Sequence, residues 1–296
     1  MFHLVVTSPS KIPQDFLDNL DQLFLFESMK GVYRELSEKG YAREYDIPVP
    51  TPKFRGELKK MSELYKVDTA LIPVSMRNVR KRLVVFDMDS TLIQQEVIVE
   101  MAREFGIQEK VKEITERAMN GQLDFDSALR ERIALLKGFP RSHMERIRAR
   151  LTLSPGVAHF VRTFRLHGGY TAIASGGFHY FADFFKESLP MEFAIANNLD
   201  WDGDCLSGVV TGEIVNAKRK EEFILDLTKK LGLYRDQTMA VGDGANDLLM
   251  LRQAGMGIAW HAKEVVRAET DYAINYGPMT TLLYYLGFEG EFFEAL

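Results

Sequence analysis

Two patterns of apolar positions divide the chain near residue 80. Before it, residues 2–6 read as a short strand, and Phe16, Leu17, Leu20, Leu23 and Phe24 recur at helical spacing. Residues 41–47 read as a strand, 58–65 as a helix and 69–74 as another strand. That order, with room for one strand hidden in the pattern, suits a small α+β sandwich. The proline-rich stretch 48–52 is expected to be extended and non-helical. From Leu83 the pattern becomes strand–helix. Strands are expected at 83–86, 170–174, 192–195, 238–241, 257–259 and 272–274, with helical segments between most of them. This predicts an α/β fold with a doubly wound parallel sheet.

Between Thr91 and about Leu151 there is no strand signal. Three helical stripes fill the gap: Ile98, Met101, Ala102 and Phe105; then Val111, Ile114, Ala118 and Met119; then Leu129, Ile133 and Leu136. The block follows the first strand directly, so it is placed to cap the carboxyl end of the sheet. The expected domains are 1–80 and 81–296, with a helical cap over about 93–152 and the junction near 76–81.

The first strand of the second unit delivers the candidate chemistry. Val84, Val85 and Phe86 form an apolar run typical of a strand buried on both faces. Asp87 and Asp89 follow, then Thr91. Ligands of open α/β sheets bind beyond the carboxyl ends of such strands. Two carboxylates this close repel unless one is protonated or a cation joins them. The pair points to an oxygen-ligand metal site with a carboxylate nucleophile beside an acid/base partner. An isolated Asp-x-Asp-x-Thr is also what a solvated turn looks like. A calcium-loop reading fails, because Leu92 stands where glycine is needed and Ile98 where the last glutamate belongs.

Two further strand ends add weight. Residues 238–241 run into Gly242-Asp243-Gly244-Ala245-Asn246-Asp247. Asp243 would face Asp87 across the crevice and complete an oxygen cage suited to Mg²⁺. Asp247 opens the next helix, as its N-cap or as a supporting acid. Residues 170–174 end in Ser175-Gly176-Gly177, where a hydroxyl and glycine amides at a helix start would cradle an anion. Of Lys218, Arg219 and Lys220, one would neutralise a phosphate. Residues 198–212 carry several aspartates, but a hairpin turning at Asp202-Gly203 explains them better than a calcium site. Asp87 attacking, Asp89 moving the proton and Mg²⁺ offsetting charge make phosphoryl transfer through an aspartyl-phosphate the fitting chemistry.

Composition narrows the setting. The chain is 46% hydrophobic and 27% charged, ordinary for a globular protein, and its formal net charge of −5 gives no reason to expect nucleic acid. The basic run Arg77, Arg80, Lys81, Arg82 reads as a linker face. Cys205 alone excludes an intrachain disulfide and suits a reducing compartment. No signal peptide is evident and no apolar run approaches the roughly 20 residues of a membrane span. A cytoplasmic protein is expected. No P-loop or dinucleotide fingerprint is present, and no histidine pair spaced for zinc.

The segments D-M-D-S-T, S-G-G-F, the lysine and G-D-G-A-N-D resemble the four motifs of the haloacid-dehalogenase-like phosphatases, over about residues 83–273. Within them, D-M-D-S-T-L-I-Q-Q-E, A-M-N-G-Q-L-D-F-D-S-A-L-R-E-R, A-N-N-L and T-G-E resemble phosphoserine phosphatases. The resemblance implies Asp87 as nucleophile and Asp89 as general acid/base. Asp87, Asp89 through its carbonyl, and Asp243 would bind Mg²⁺, with Asp247 behind them. Ser175, Gly176, Lys220 and Asn246 would hold phosphate, spacing from Asp243 favouring Lys220. Glu96 would take a substrate ammonium, Arg132 its carboxylate, and Met119 with Phe125 would line the cap. Arginine suits a carboxylate bidentately, so an amino-acid phosphate makes physical sense. The partner is then a small phospho-amino acid, with neither nucleic acid nor membrane. Alternatives are another small amino-acid phosphate, a phosphotransferase, or a regulatory binding protein. Some bacterial members carry an ACT-type domain with an element order like that of residues 1–80, and position alone suggests homodimerisation or amino-acid sensing there.

Overall fold

The computed structural model describes residues 1–292. The first unit runs β1 (Phe2–Thr7), α1 (Gln14–Phe26), β2 (Val32–Glu35), β3 (Ala42–Ile47), α2 (Pro52–Tyr65) and β4 (Asp68–Pro73). Its sheet is antiparallel in the order β2-β3-β1-β4. Strand periodicity sorts β1 cleanly. Leu4 and Val6 join Phe16, Leu20, Phe24 and Phe54 beneath the two helices, whereas Val5 joins the core of the second unit. Both faces of this sheet are therefore covered.

Two expectations change here. The hidden strand is β2, whose four residues are all exposed and so carry no apolar signal. Pro52 is helical: it is the first residue of α2, where a missing N–H costs nothing, and the Thr51 hydroxyl caps the turn by accepting from Phe54 N at 3.0 Å.

A short α3 (Val74–Arg77) leads to the second unit. There follow β5 (Leu83–Phe86), α4 (Val97–Phe105), α5 (Gln108–Met119), α6 (Phe125–Ala134), α7 (Arg141–Arg150) and α8 (Val157–Leu166). Then come β6 (Tyr170–Phe178), α9 (His179–Ser188), β7 (Phe193–Asp202), β8 (Cys205–Thr211) and α10 (Ala217–Lys230). The chain continues through β9 (Thr238–Gly242), α11 (Leu248–Gln253), β10 (Met256–Trp260), α12 (Glu264–Ala268), β11 (Tyr272–Ile274) and α13 (Thr281–Tyr285). The seven strands order β11-β10-β9-β5-β6-β7-β8, parallel except for β8. All four residues of β5 are buried, as its apolar run requires.

Phe86 pairs with Val241 on one side and Ile173 on the other. The carboxyl ends of β5, β9 and β6 thus lie side by side, and the connections that follow β5 and β9 run in opposite directions, to β6 and to β10. This is the switch point at which doubly wound sheets bind ligands.

Three details differ from the pattern. β6 stays extended through Ser175-Gly176-Gly177, with a register shift after Ala174, so these residues precede α9 rather than start it. β7 runs to Asp202 because its second half pairs with β8, where Leu199 and Trp201 alternate with exposed polar residues and pack against the core that takes in Leu206 and Val210 of β8. The hairpin is present, but Gly203 and Asp204 turn between the paired Asp202 and Cys205. Gly203 adopts φ +61° there, which glycine tolerates without strain.

The helices α4–α7 leave and rejoin the sheet at one place. Ile93 and Leu153 form an antiparallel bridge, Gln94 N donates to Thr152 O at 3.0 Å, and Ser154 N donates to Leu92 O at 2.9 Å.

Candidate active site

Asp87 stands directly after β5, in extended backbone, with its N–H donated to Val241 O at 2.9 Å. The chain then makes a tight turn over Met88–Leu92 in which Ser90 takes φ +57°. The turn sends Asp89 to the same side as Asp87, and both line a cavity of about 190 Å³. That is room for a small metabolite.

Asp243 enters from the end of β9 and accepts from the Thr91 hydroxyl at 3.2 Å. Carboxylate oxygens of Asp87, Asp243 and Asp247 lie within 4.8 Å of one another. The expected metal set was Asp87, Asp89 and Asp243, and the geometry brings Asp247 closer than expected. Both Asp247 oxygens have partners, however. Oδ1 accepts from Lys220 Nζ at 2.7 Å and Oδ2 from Gly244 N at 3.0 Å. Asp247 occupies the N-cap position of α11, yet its side chain caps nothing there.

Lys220 lies in the first turn of α10, has no exposed surface, and also donates to Asp87. Burial pulls the Lys220 ammonium down, but Asp247 and Asp87 together hold it above its ordinary range. Burial, with repulsion from Asp247, raises Asp87 well above the carboxylate range despite Lys220. The same two causes push Asp243 up to about 6. Buried hard-oxygen donors whose charges repel are what a divalent cation relieves, so this set fits one.

The Asp89 carboxylate is held otherwise. Oδ1 accepts from Val97 N at 2.7 Å, and Oδ2 lies 3.4 Å from the Ser175 hydroxyl. Burial and neighbouring Glu96 push it up to about 7. Glu96 lines the cavity and accepts from the Ser90 hydroxyl at 2.6 Å. Arg132 faces it from α6, its guanidinium lowered by burial against the pull of Glu96 and Asp89.

Gly176, Gly177, Phe125 and Asn246 complete the predicted residues in the wall. Ser175 is fully buried beside it and accepts from Gly177 N at 2.9 Å. Phe125 presses on the strand end: a Cβ on Gly176 would meet its ring at 3.0 Å. Met119 is the exception. It ends α5 with 73% of its surface exposed and is not among the lining residues.

Two residues outside the expected set belong here. Lys263 lines the cavity just past β10, next to β9, the same strand-end placement that singled out Asp243. Asn197 is fully buried; its amide donates to Gly176 O at 2.8 Å and Gly177 O at 3.2 Å and accepts from Val215 N at 2.8 Å. The helical block is latched from the far side as well, where Asn216 donates to Asp126 at 3.1 Å. A second acidic grouping, His3 with Glu44 and Asp46, lies in the first sheet, where Arg34 and Arg77 already pair with Glu44.

Fold and site together define a doubly wound α/β protein with an acidic cavity at the switch point, overlaid by an inserted helical block. The profile of haloacid dehalogenase-like hydrolases matches residues 81–255. The chain is 41% identical over 238 residues to the phosphoserine phosphatase of Archaeoglobus fulgidus, covering 80% of this chain and 69% of that one. Among solved structures, a HAD-family hydrolase of Salmonella enterica serovar Typhi superposes with TM-score 0.88 at 32% identity, covering 97% and 99% of the two chains. A probable phosphoserine phosphatase of Vibrio cholerae gives TM-score 0.78 at 33% identity, covering 96% and 86%. This chain belongs to the haloacid dehalogenase-like hydrolases. Among the described residues no helix is long and apolar enough to cross a membrane.

Proposed function

We propose that this chain hydrolyses O-phospho-L-serine to L-serine and phosphate in two steps. Asp87 attacks phosphorus, its P–O bond forms, and the bond to the serine oxygen breaks as Asp89 protonates that oxygen. Asp89 then takes a proton from water, which attacks phosphorus and breaks the bond to Asp87. A carboxyl raised to about 7 can give and take a proton near neutrality.

Asp87 and Asp243, with the Asp89 carbonyl, would hold Mg²⁺, and Asp247 stays committed to Lys220 and Gly244. When bound, the ion supplies positive charge against the phosphoryl oxygens. Lys220, Asn246 and the Ser175–Gly177 stretch receive the phosphate. The helical block over residues 93–152 acts as the lid that excludes water from the phosphorylated form. The lone Cys205 suits the reducing cytoplasm in which we place the reaction.

The observation that carries the substrate is Glu96 and Arg132 lining the same small cavity as Asp87 and Asp89. They offer a carboxylate to an ammonium and a guanidinium to a carboxylate, the two recognitions a phospho-amino acid needs besides phosphate. Relatives bearing the phosphoserine phosphatase name agree with it.

The test is phosphate release from phosphoserine with and without Mg²⁺, in the parent and in Asp87→Asn. Turnover is expected only with the metal and to disappear in the variant. Near-normal turnover by Asp87→Asn would remove the nucleophile from this reading. Arg132→Ala should raise KM for phosphoserine at least tenfold, the order of one lost charge-assisted pair, and affect an aryl phosphate less. Equal losses on both would exclude the carboxylate role. Phosphothreonine and phosphohomoserine in the same assay decide among side chains.

A further inference from the structure

A second cleft, about 1160 Å³, lies between the first unit and the hydrolase unit. It is roughly six times the volume of the catalytic cavity. Its size is that of a site for a molecule considerably larger than phosphoserine. Its chemistry is one-sided. Lys11 and Lys39 stand in the wall, and no Asp or Glu does among the described residues, in a chain with 42 acids and a net charge of −5. Two carboxylates behind the wall are already engaged: Glu291 accepts from the Ser37 hydroxyl at 2.9 Å and Lys39 N at 3.1 Å, and Asp68 from Tyr276 N at 3.2 Å and Gly277 N at 2.7 Å. Tyr41, Tyr276 and Phe292 supply aromatic surface, and Trp260 lies buried behind them. Cations and aromatic faces without acids select an anion with a ring.

The cleft also touches the moving parts. Gln94 and Leu153 line it, and they lie in the two connecting segments through which the helical block joins the sheet; the Gln94 amide donates to Leu153 O at 2.9 Å. Ser90 lines it as well, in left-handed backbone, and its hydroxyl holds Glu96 in the catalytic cavity at 2.6 Å. An occupant would therefore press on both hinge strands and on the turn between Asp89 and Glu96.

We propose that this cleft binds an organic anion built on an aromatic ring, and that its occupation restrains the hinge of the helical block. Binding of two ligands at sites joined by one movable element is coupled in both directions.

Anilinonaphthalene sulfonate, an aromatic anion, is a suitable probe because Trp260 lies in the wall. The chain has two tryptophans, so Trp201→Phe leaves Trp260 as the only donor for energy transfer. Transfer from Trp260 should saturate, and Lys11→Glu with Lys39→Glu should weaken it at least tenfold. Hydrogen exchange at residues 93–95 and 152–154 should slow with the probe in the parent and not in the double variant. Absent transfer, or transfer that survives both charge reversals, overturns the site. Transfer that is lost as expected with unchanged exchange at the hinge overturns the coupling. Neither readout depends on phosphoserine turnover, so failure of the proposed reaction would be seen separately.

Discussion

Lys220 shows how tightly the residues of this site depend on one another. It is buried between Asp87 and Asp247 and is the one cation touching both among the described residues. Lys220→Met should leave two buried carboxylates facing each other, at a cost of about 3–5 kcal/mol. Urea denaturation at neutral pH measures it, and adding Asp247→Asn should recover part of the loss. Strictly additive losses would show that the three charges are not coupled. Gly177 tests positioning instead. A Cβ there would lie 2.7 Å from Asp89 Oδ2 and 3.0 Å from Ser175 Oγ, so the carboxylate must shift. Gly177→Ala should lower kcat by about 10²-fold, the order expected for an ångström-scale misplacement, with little change in melting temperature. An unchanged kcat would mean that Asp89 tolerates the displacement. At this scale Asp87 and Asp243 were legible because each follows a buried apolar strand. Asp247 was ambiguous because an N-cap and a buried ion-pair partner look alike in sequence. Met119 was misplaced because a helical stripe does not reveal where the helix leaves its neighbours.

Elements were legible where burial shaped them. β5 and β9 are buried on both faces and read directly as apolar runs. β2 is exposed throughout and carries no apolar signal, whereas the outer half of β7 alternates over Asn198–Asp202 and reads only as one arm of a hairpin. What joins elements was harder to see. Asn197 ties β7 to the end of β6 and to the segment before α10 through three hydrogen bonds. A buried asparagine in a strand looks like an exposed one until its partners are known. Asn197→Ala would leave two carbonyls and one N–H without their partner, costing about 2–4 kcal/mol. It should also lower kcat by loosening the strand end that carries Gly176 and Gly177. Chemical denaturation and kinetics on the same preparation check both. A stable variant with parental kcat would assign the strand end's rigidity to backbone pairing alone.

At the scale of the whole molecule, the two units share one core. Val5, Ala70 and Ile72 of the first sheet pack in the same cluster as Phe86, Leu282 and Tyr285 of the second unit. Polar contacts fix the register of that packing. Arg77 donates to Glu44 and to the carbonyls of Tyr284 and Tyr285, across the junction. Asp68, at the start of β4, accepts from the backbone N–H groups of Asn275 at 2.7 Å, Tyr276 at 3.2 Å and Gly277 at 2.7 Å. Nothing local to Asp68 announces this, because its partners lie more than 200 positions away. Asp68→Ala would strand three donors beneath the interface, at about 3–5 kcal/mol for charge-assisted bonds lost together. Because the loss falls on the contact between units, calorimetry should resolve two transitions where the parent shows one. Asp68→Asn keeps one acceptor oxygen and should fall between. A single transition at the parental temperature in Asp68→Ala would mean that the apolar core alone joins the units.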